Sequence, residues 1–460
     1  MEFLDQLLKD FSALAWSFPF MILFIGGGLY LLIRSRFLPF RYLGHAVFVL
    51  RGKYDDPNDP GQISHFQALT TALSATVGMG NIAGVAVAIS IGGPGAVFWM
   101  WISALIGMST KFFTSTLAIL YRGKDSVGNI QGGPMYFITE GLGKAWKPLA
   151  VFFSLCGLLG ALPVFNVNQL TQALNDILLT PNGIEVSFTS NLYIGIVLVS
   201  ITALVIIGGI KRIGNVASRL VPGMVVLYFI LVTIILVAHS DVLMYYLKLI
   251  ITDAFAGNYY PKNDTVFGGV LGALILHGVK RGAFSNEAGI GTAPMAHGAA
   301  KTDEPVREGL VAMLGPAIDT LIVCTLTALA ILVTGVWETT SDNGVSLTAS
   351  AFASVMPTYG KYALLICIAV FSMSSLFSYS YYGTKCMAFL FGADKKHYYN
   401  YFYILSILLG ATTSLSMMIN LIDGVFALMA IPTMMATILL APKVITESKK
   451  YFAKLKSNTL

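Results

Sequence analysis

"ATVGMGNIAG", residues 75–84, lies in the middle of an apolar run long enough to cross a membrane, yet it holds three glycines, an asparagine and no charge. Each glycine weakens a helix interior by about 1 kcal/mol relative to alanine. In lipid an interrupted helix bares N–H and C=O groups that are costly unless something satisfies them. The stretch is therefore expected to be unwound and completed by a neighbour, a cavity or a ligand. The start of the second half-helix offers free N–H groups and a positive dipole end, which suit a carboxylate. The last carbonyls of the first half suit Na⁺. Gly78 and Gly80 permit the backbone angles and leave room for a small ligand, and Asn81 adds an uncharged oxygen. Gly84 and Gly92 read as close-packing positions. No strand precedes the G-x-G, so it is not a dinucleotide fingerprint.

The surrounding composition agrees with a membrane setting. Of 460 residues, 56% are hydrophobic and 11% charged, against about 25% charged in soluble domains. Long continuous apolar segments exclude a barrel, and the fold class expected is an all-α polytopic membrane protein. Eleven spans are expected: about 17–35, 64–91, 94–121, 148–178, 191–209, 214–239, 265–299, 308–335, 360–391, 399–418 and 421–441. The net charge of +6 sits in short loops and signals topology rather than nucleic acid. Arg34, Arg36, Arg41, Arg51 and Lys53 make the side after the first span cytoplasmic. Alternation then puts Arg122, Lys124, Lys211, Arg212, Lys301, Arg307, Lys395 and Lys396 inside. Only Lys9, Lys248, Lys262 and Lys361 fall outside. The N-terminus is expected outside and the C-terminus cytoplasmic, with no cleaved signal peptide. Segments 241–257 and 345–356 read as helices along the surface, either lids or, the blander reading, ordinary connecting helices. Cys156, Cys324, Cys367 and Cys386 read as core residues without a disulfide.

Setting the 17–35 helix aside leaves five spans in 64–239 and five in 265–441, followed by a tail at 442–460. The two sets have opposite orientations, as in an inverted repeat, and each begins with a long glycine-interrupted span. Matching broken helices are the best sequence pointer to a transport site.

Five stretches resemble one family: "TVGMGNIAGVAVAI" (76–89), "GGPGAVFWMWISALIGMSTKF" (92–112), "GGPMYFI" (132–138), "FSNEAGIGTAPMAHGAAKTDEPVREGL" (284–310) and "IDTLIVCTLTAL" (318–329). The family is the alanine/glycine:cation symporters, also called sodium:alanine symporters. The resemblance implies a leucine-transporter-like 5+5 inverted repeat with broken first and sixth core helices and one extra N-terminal helix. It also implies Na⁺-driven uptake of small neutral amino acids, chiefly alanine and glycine. Carried over by position, it places Met79 and Gly80 N–H groups at the substrate carboxylate, with Thr76, Gly78 and Asn81 beside them. Ser74 and Val77 carbonyls, the Phe371 carbonyl, and the Ser374 and Ser375 hydroxyls would surround sodium. Hydroxyl and carbonyl oxygens suit a hard cation. Asn166, Gln169 and Tyr379 would wall the pocket. The family often has Trp at the position of Tyr379 and a small residue at that of Met79. It commonly has Asn for Thr171 and Glu for Thr114. These departures leave a larger neutral substrate such as glutamine, or another stereoisomer, open.

His277 lies near the middle of the second long span, with Leu276 beside it and Gly272 and Gly278 marking the expected unwinding. Intramembrane ionisable groups are expensive and often functional; a pocket role and a packed histidine both stay open. Glu287 with Lys280 and Arg281 reads as an ion-pair network toward the cytoplasmic end. Asp319 reads as a structural partner within the bundle, and Lys111 as a snorkelling lysine. No metal cluster, P-loop or Ser–His–Asp pattern supports an enzyme, and no charged ring supports a channel. A proton-coupled transporter of the same fold is the runner-up.

Overall fold

The computed structural model describes residues 2–259 and 269–457. The chain is 82% helical. Helix α1 is Glu2–Ala15, and α2 is Phe18–Arg34, bent 49° from it. Then come α3 His65–Thr76 and α4 Gly80–Gly92, α5 Gly95–Leu120, α6 Lys144–Asn182, α7 Phe188–Ile206 and α8 Gly209–Ala238. The second part holds α9 Ser240–Ala256, α10 Gly269–Asn286, α11 Ala293–His297, α12 Pro305–Val333 and α13 Val345–Val355. It ends with α14 Gly360–Phe391, α15 Lys396–Thr412 and α16 Leu415–Lys456. A short hairpin pairs Gly123–Lys124 with Ile130–Gln131.

Seven helices are long and apolar enough to cross a membrane, and two bent pairs, α1 with α2 and α3 with α4, bring this to nine among the described residues. The two expected spans that do not reach this test are 265–299 and 399–418, seen as the 18-residue α10 and the 17-residue α15. Residues 265–268, Lys262 and the last three residues of the 442–460 tail lie outside the described residues. The sequence reading also missed α1, which packs along α16 and whose Phe11 fills the space beside Gly424.

Local chemistry explains where the elements begin and bend. Ser64 caps α3 in an S-x-x-Q box: its hydroxyl accepts from Gln67 N–H at 3.2 Å, and Gln67 Oε1 accepts from Ser64 N–H at 3.0 Å. Within α6 the helical bonding lapses at residues 161–163, ahead of a new turn capped by Pro163. Helices α7 and α8 bury only 22% and 28% of their apolar windows, so their outer faces suit a lipid bilayer. By contrast α14 and α16 are 72% buried. Helix α14 packs against α3 and α8, and α10 and α12 both pack on α5. These contacts bring the interrupted segments together in the middle of the bundle.

Candidate functional site

The first interruption falls where the glycines placed it. Helix α3 ends at Val77, and α4 leaves it at 52°. Two side-chain oxygens satisfy the bared backbone: Asn81 Oδ1 accepts from Gly78 N–H at 2.9 Å, and Asn166 Oδ1 accepts from Met79 N–H at 3.2 Å. The Asn81 amide then donates to Asp319 Oδ1 at 2.8 Å and to the Asp319 carbonyl at 3.0 Å. Ser285 and Thr320 hydroxyls donate to the other Asp319 oxygen, each at 2.7 Å. Asp319 is thus the hydrogen-bonded bundle partner expected.

The second interruption lies elsewhere than expected. Helix α10 runs unbroken through Gly272, Leu276, His277 and Gly278, and opens only at residues 287–292. The glycine at 278 serves close packing instead: a Cβ there would stand 2.5 Å from Trp99 Cβ and 2.6 Å from the Ala96 carbonyl oxygen. The His277 ring lies against Gly92, on an interface with α4. The break itself has left-handed φ at Glu287 (53°), Gly289 (87°) and Gly291 (106°). A side chain at Gly291 would meet Thr433 and Phe153 within 2.7 Å, so backbone angle and space both call for glycine there.

Glu287, fully buried at that break, accepts hydrogen bonds from the Thr292 and Tyr379 hydroxyls. It does not pair with Lys280 or Arg281, as the sequence reading had it. Those two bind Asp423 of α16, Lys280 Nζ at 2.8 Å. Trp16 Nε1 donates to the Asp423 carbonyl at 2.9 Å. Because α10 enters from the end away from the 123–131 hairpin, this ion pair sits on that far side of the break. A buried pair needs the best local acceptor, and Asp423 offers a full carboxylate across the helix interface. Lys111, expected to snorkel, is 1% exposed, with Nζ close to Gly315.

A cavity of about 20 Å³, room for about one water, opens beside the first break. Thr76, Gly80, Asn166 and Tyr379 line it, together with Ala75, Gly160, Leu162, Phe165, Phe284, Ile422 and Phe426. Four of the expected pocket residues are therefore in its wall. Asn81 stands behind it as a cap. Gln169 is displaced: its Oε1 accepts from Val345 N–H at 3.1 Å and so anchors α13. Helix α13, expected along the surface, lies over the start of α4, where the Thr348 hydroxyl donates to the Ile82 carbonyl at 3.3 Å. Gly272, Leu276 and His277 do not line the cavity. The aromatic walls were missed. Phe165 and Phe284 rings cross edge to face at 4.9 Å, and Phe284 faces Phe426 at 5.9 Å. Their only sequence signal was proximity to "FNVNQL" and "FSNEAG", since an apolar ring in an apolar helix marks no face.

Below the cavity α14 meets the end of α3. The Ser374 hydroxyl lies 3.3 Å from the Ser74 carbonyl and 2.9 Å from that of Phe371. The Ser375 hydroxyl lies 3.3 Å from the Ala75 carbonyl and 3.1 Å from that of Phe371. Ala75, rather than Val77, supplies the second carbonyl on this side. Each hydroxyl has one proton and two lone pairs, so it can turn an oxygen toward a cation. Gly78 is required here: a Cβ would stand 2.5 Å from Ser375 Oγ. Three carbonyls and two hydroxyls, all buried, form an oxygen set of the kind hard cations take.

Comparisons with known proteins give the family and the fold. The model of the sodium:alanine symporter family matches residues 1–460. The "Sodium/alanine symporter AgcS" of Methanococcus maripaludis is 39% identical over 456 residues, covering 98% of each chain. The "Probable sodium/glutamine symporter GlnT" of Bacillus subtilis is 35% identical, covering 98% of this chain and 91% of that one. Among solved structures, MhsT in complex with L-phenylalanine shares the fold with a TM-score of 0.58 at 15% identity, covering 84% of this chain and 98% of that one. The leucine-transporter-like fold, the two broken helices and the match along the whole chain leave one conclusion: the chain belongs to the sodium:alanine symporter family.

Proposed function

We propose that the protein is a Na⁺-coupled symporter that imports small neutral amino acids of the alanine and glycine class by alternating access. The observation that carries this reading is the oxygen set of Ser74, Ala75, Phe371, Ser374 and Ser375, placed one turn from the first break. Na⁺ there would tie α3 to α14 and hold the break in one shape, which pre-organises the amino-acid site beside it. Coupling of that kind is reciprocal: the amino acid tightens Na⁺ by the same factor. The carboxylate would meet the peptide groups of Gly78–Gly80, and the Asn166 oxygen would yield its place at Met79 N–H. The ammonium would face the Thr76 and Tyr379 oxygens. Rings of Phe165, Phe284 and Phe426 limit the side chain, which favours small substrates over glutamine.

The chain would cross the membrane eleven times, as one extra helix plus five and five, with the N-terminus outside. On that orientation the Arg281–Asp423 pair lies on the outer side, and Arg122, which donates to the Gly298, Pro60, Thr302 and Ala300 carbonyls, lies on the inner side. A proton-coupled carrier of the same fold is the alternative. Uptake of labelled alanine into proteoliposomes, with external Na⁺ replaced by choline at constant pH, decides between them. At least a tenfold fall is expected; undiminished uptake removes sodium coupling.

A further inference from the structure

At the hairpin end of the bundle, beside an open vestibule of about 1000 Å³ lined by Gln62, Gly298 and Ala299, segments 60–63 and 298–302 are joined by contacts that neither the small cavity nor the ion site uses. Gln62 and Ile63 N–H groups donate to the Ala299 carbonyl at 2.8 and 3.2 Å, and Lys301 N–H donates back to the Ile63 carbonyl at 2.7 Å. Arg122 spreads its guanidinium over the Gly298, Pro60, Thr302 and Ala300 carbonyls. Next to this strip lies a buried triad. Glu308, in the first turns of α12, meets His65 Nδ1 with one oxygen and His297 Nδ1 with the other. All three side chains are no more than 1% exposed. They come from α3, α11 and α12, so both interrupted segments are joined there.

Neither Nε2 has a hydrogen-bond partner. That of His65 stands 3.9 Å from a carboxylate oxygen of Asp55, whose side chain is 40% exposed and reaches solvent. Arg307 and Arg122 are the remaining charged groups that face the triad. With both rings neutral, each donates Nδ1–H to Glu308, and the triad carries one negative charge. One proton on His65 Nε2 brings it to zero. The same proton turns a bond in which only the acceptor is charged into one between opposite charges, which strengthens it.

We propose that His65, Glu308 and His297 form a proton-binding latch, loaded and unloaded through Asp55, that holds segments 60–63 and 298–302 together, the closed form of the hairpin end. Opening that end separates His65 on α3 from Glu308 on α12, so the closed latch holds the proton more tightly than the open one. By linkage, closure is favoured as pH falls and opening as pH rises. On the proposed orientation, on which this consequence rests, an acidified cytoplasm slows release of substrate and ion.

The latch can be tested without substrate or Na⁺, so its failure is separable from failure of the transport reading. Hydrogen–deuterium exchange of the purified full-length protein is followed for residues 60–66, corrected for the intrinsic exchange rate, from pH 6 to pH 8. A one-unit difference in proton affinity between closed and open forms is tenfold in their ratio. We expect corrected protection to fall about tenfold over this range, while the 123–131 hairpin stays level. His65→Gln, which keeps a donor, and Glu308→Gln, which removes the charge, should flatten the profile. Parent protection that does not change with pH overturns the latch, whether or not the variants fold. So does a parent-like slope in both variants.

Discussion

The two interrupted helices open side by side, but they are held open by different means. The first spans the three residues Val77–Met79 and is completed by neutral amide side chains, Asn81 and Asn166. The second spans 287–292 and needs three positive φ angles; Asn286 Oδ1 accepts from Ala288 N–H at 3.0 Å, and the buried Glu287 carboxylate accepts from the Thr292 and Tyr379 hydroxyls. On the proposed function a ligand at the first break displaces only neutral amide oxygens, such as that of Asn166 at Met79 N–H. A break spanned by a buried charge is a fixed frame, because removing either partner strands the other in low dielectric. On the proposed function, the first break binds and the second positions Tyr379 against it.

Three substitutions probe that division, in order of expected effect. Glu287→Ala leaves the Tyr379 and Thr292 hydroxyls without their acceptor. Hydrogen bonds to charged groups contribute about 1.5–3 kcal/mol each, so thermal unfolding should show a loss of about 3 kcal/mol or more and uptake should vanish. A variant with parent stability would show that the second break is not framed by this carboxylate. Asn81→Ala removes the acceptor of Gly78 N–H and a donor to Asp319. A loss of about 2 kcal/mol in amino-acid binding, roughly thirtyfold in affinity, is expected from tryptophan-fluorescence titration; an unchanged value would make Asn81 a spectator. Ser375→Ala is the mildest. It should weaken apparent Na⁺ affinity about five- to tenfold, in line with one hydroxyl ligand worth about 1 kcal/mol. Amino-acid affinity at saturating Na⁺ should hardly move. The reverse pattern would shift Ser375 from the ion site to the pocket.

The first break was legible because glycine and asparagine inside a membrane helix contradict its local propensity, and such contradictions gather at functional sites. The second was misread for a related reason. Gly278 carries the same local signal, yet it admits the α5 backbone, where an added Cβ would meet Ala96 O at 2.6 Å. A glycine that frees the backbone and one that admits a neighbour look alike in one dimension. The pairing of Arg281 with Asp423, 142 residues apart, and the three phenylalanine walls were equally invisible, because charge and apolarity name no partner.

The amino-acid sequence alone determined the membrane class, the run of apolar helices, the position of the first break and the residue types that suit sodium. Those properties depend on local propensity and on transfer of side chains from water to lipid, which act over a few residues at a time. Tertiary packing decided which glycines unwind, which carboxylate each cation meets and which rings close over the cavity. Each of those choices is made by a neighbour distant in the chain, through contacts that exist only once the helices have packed.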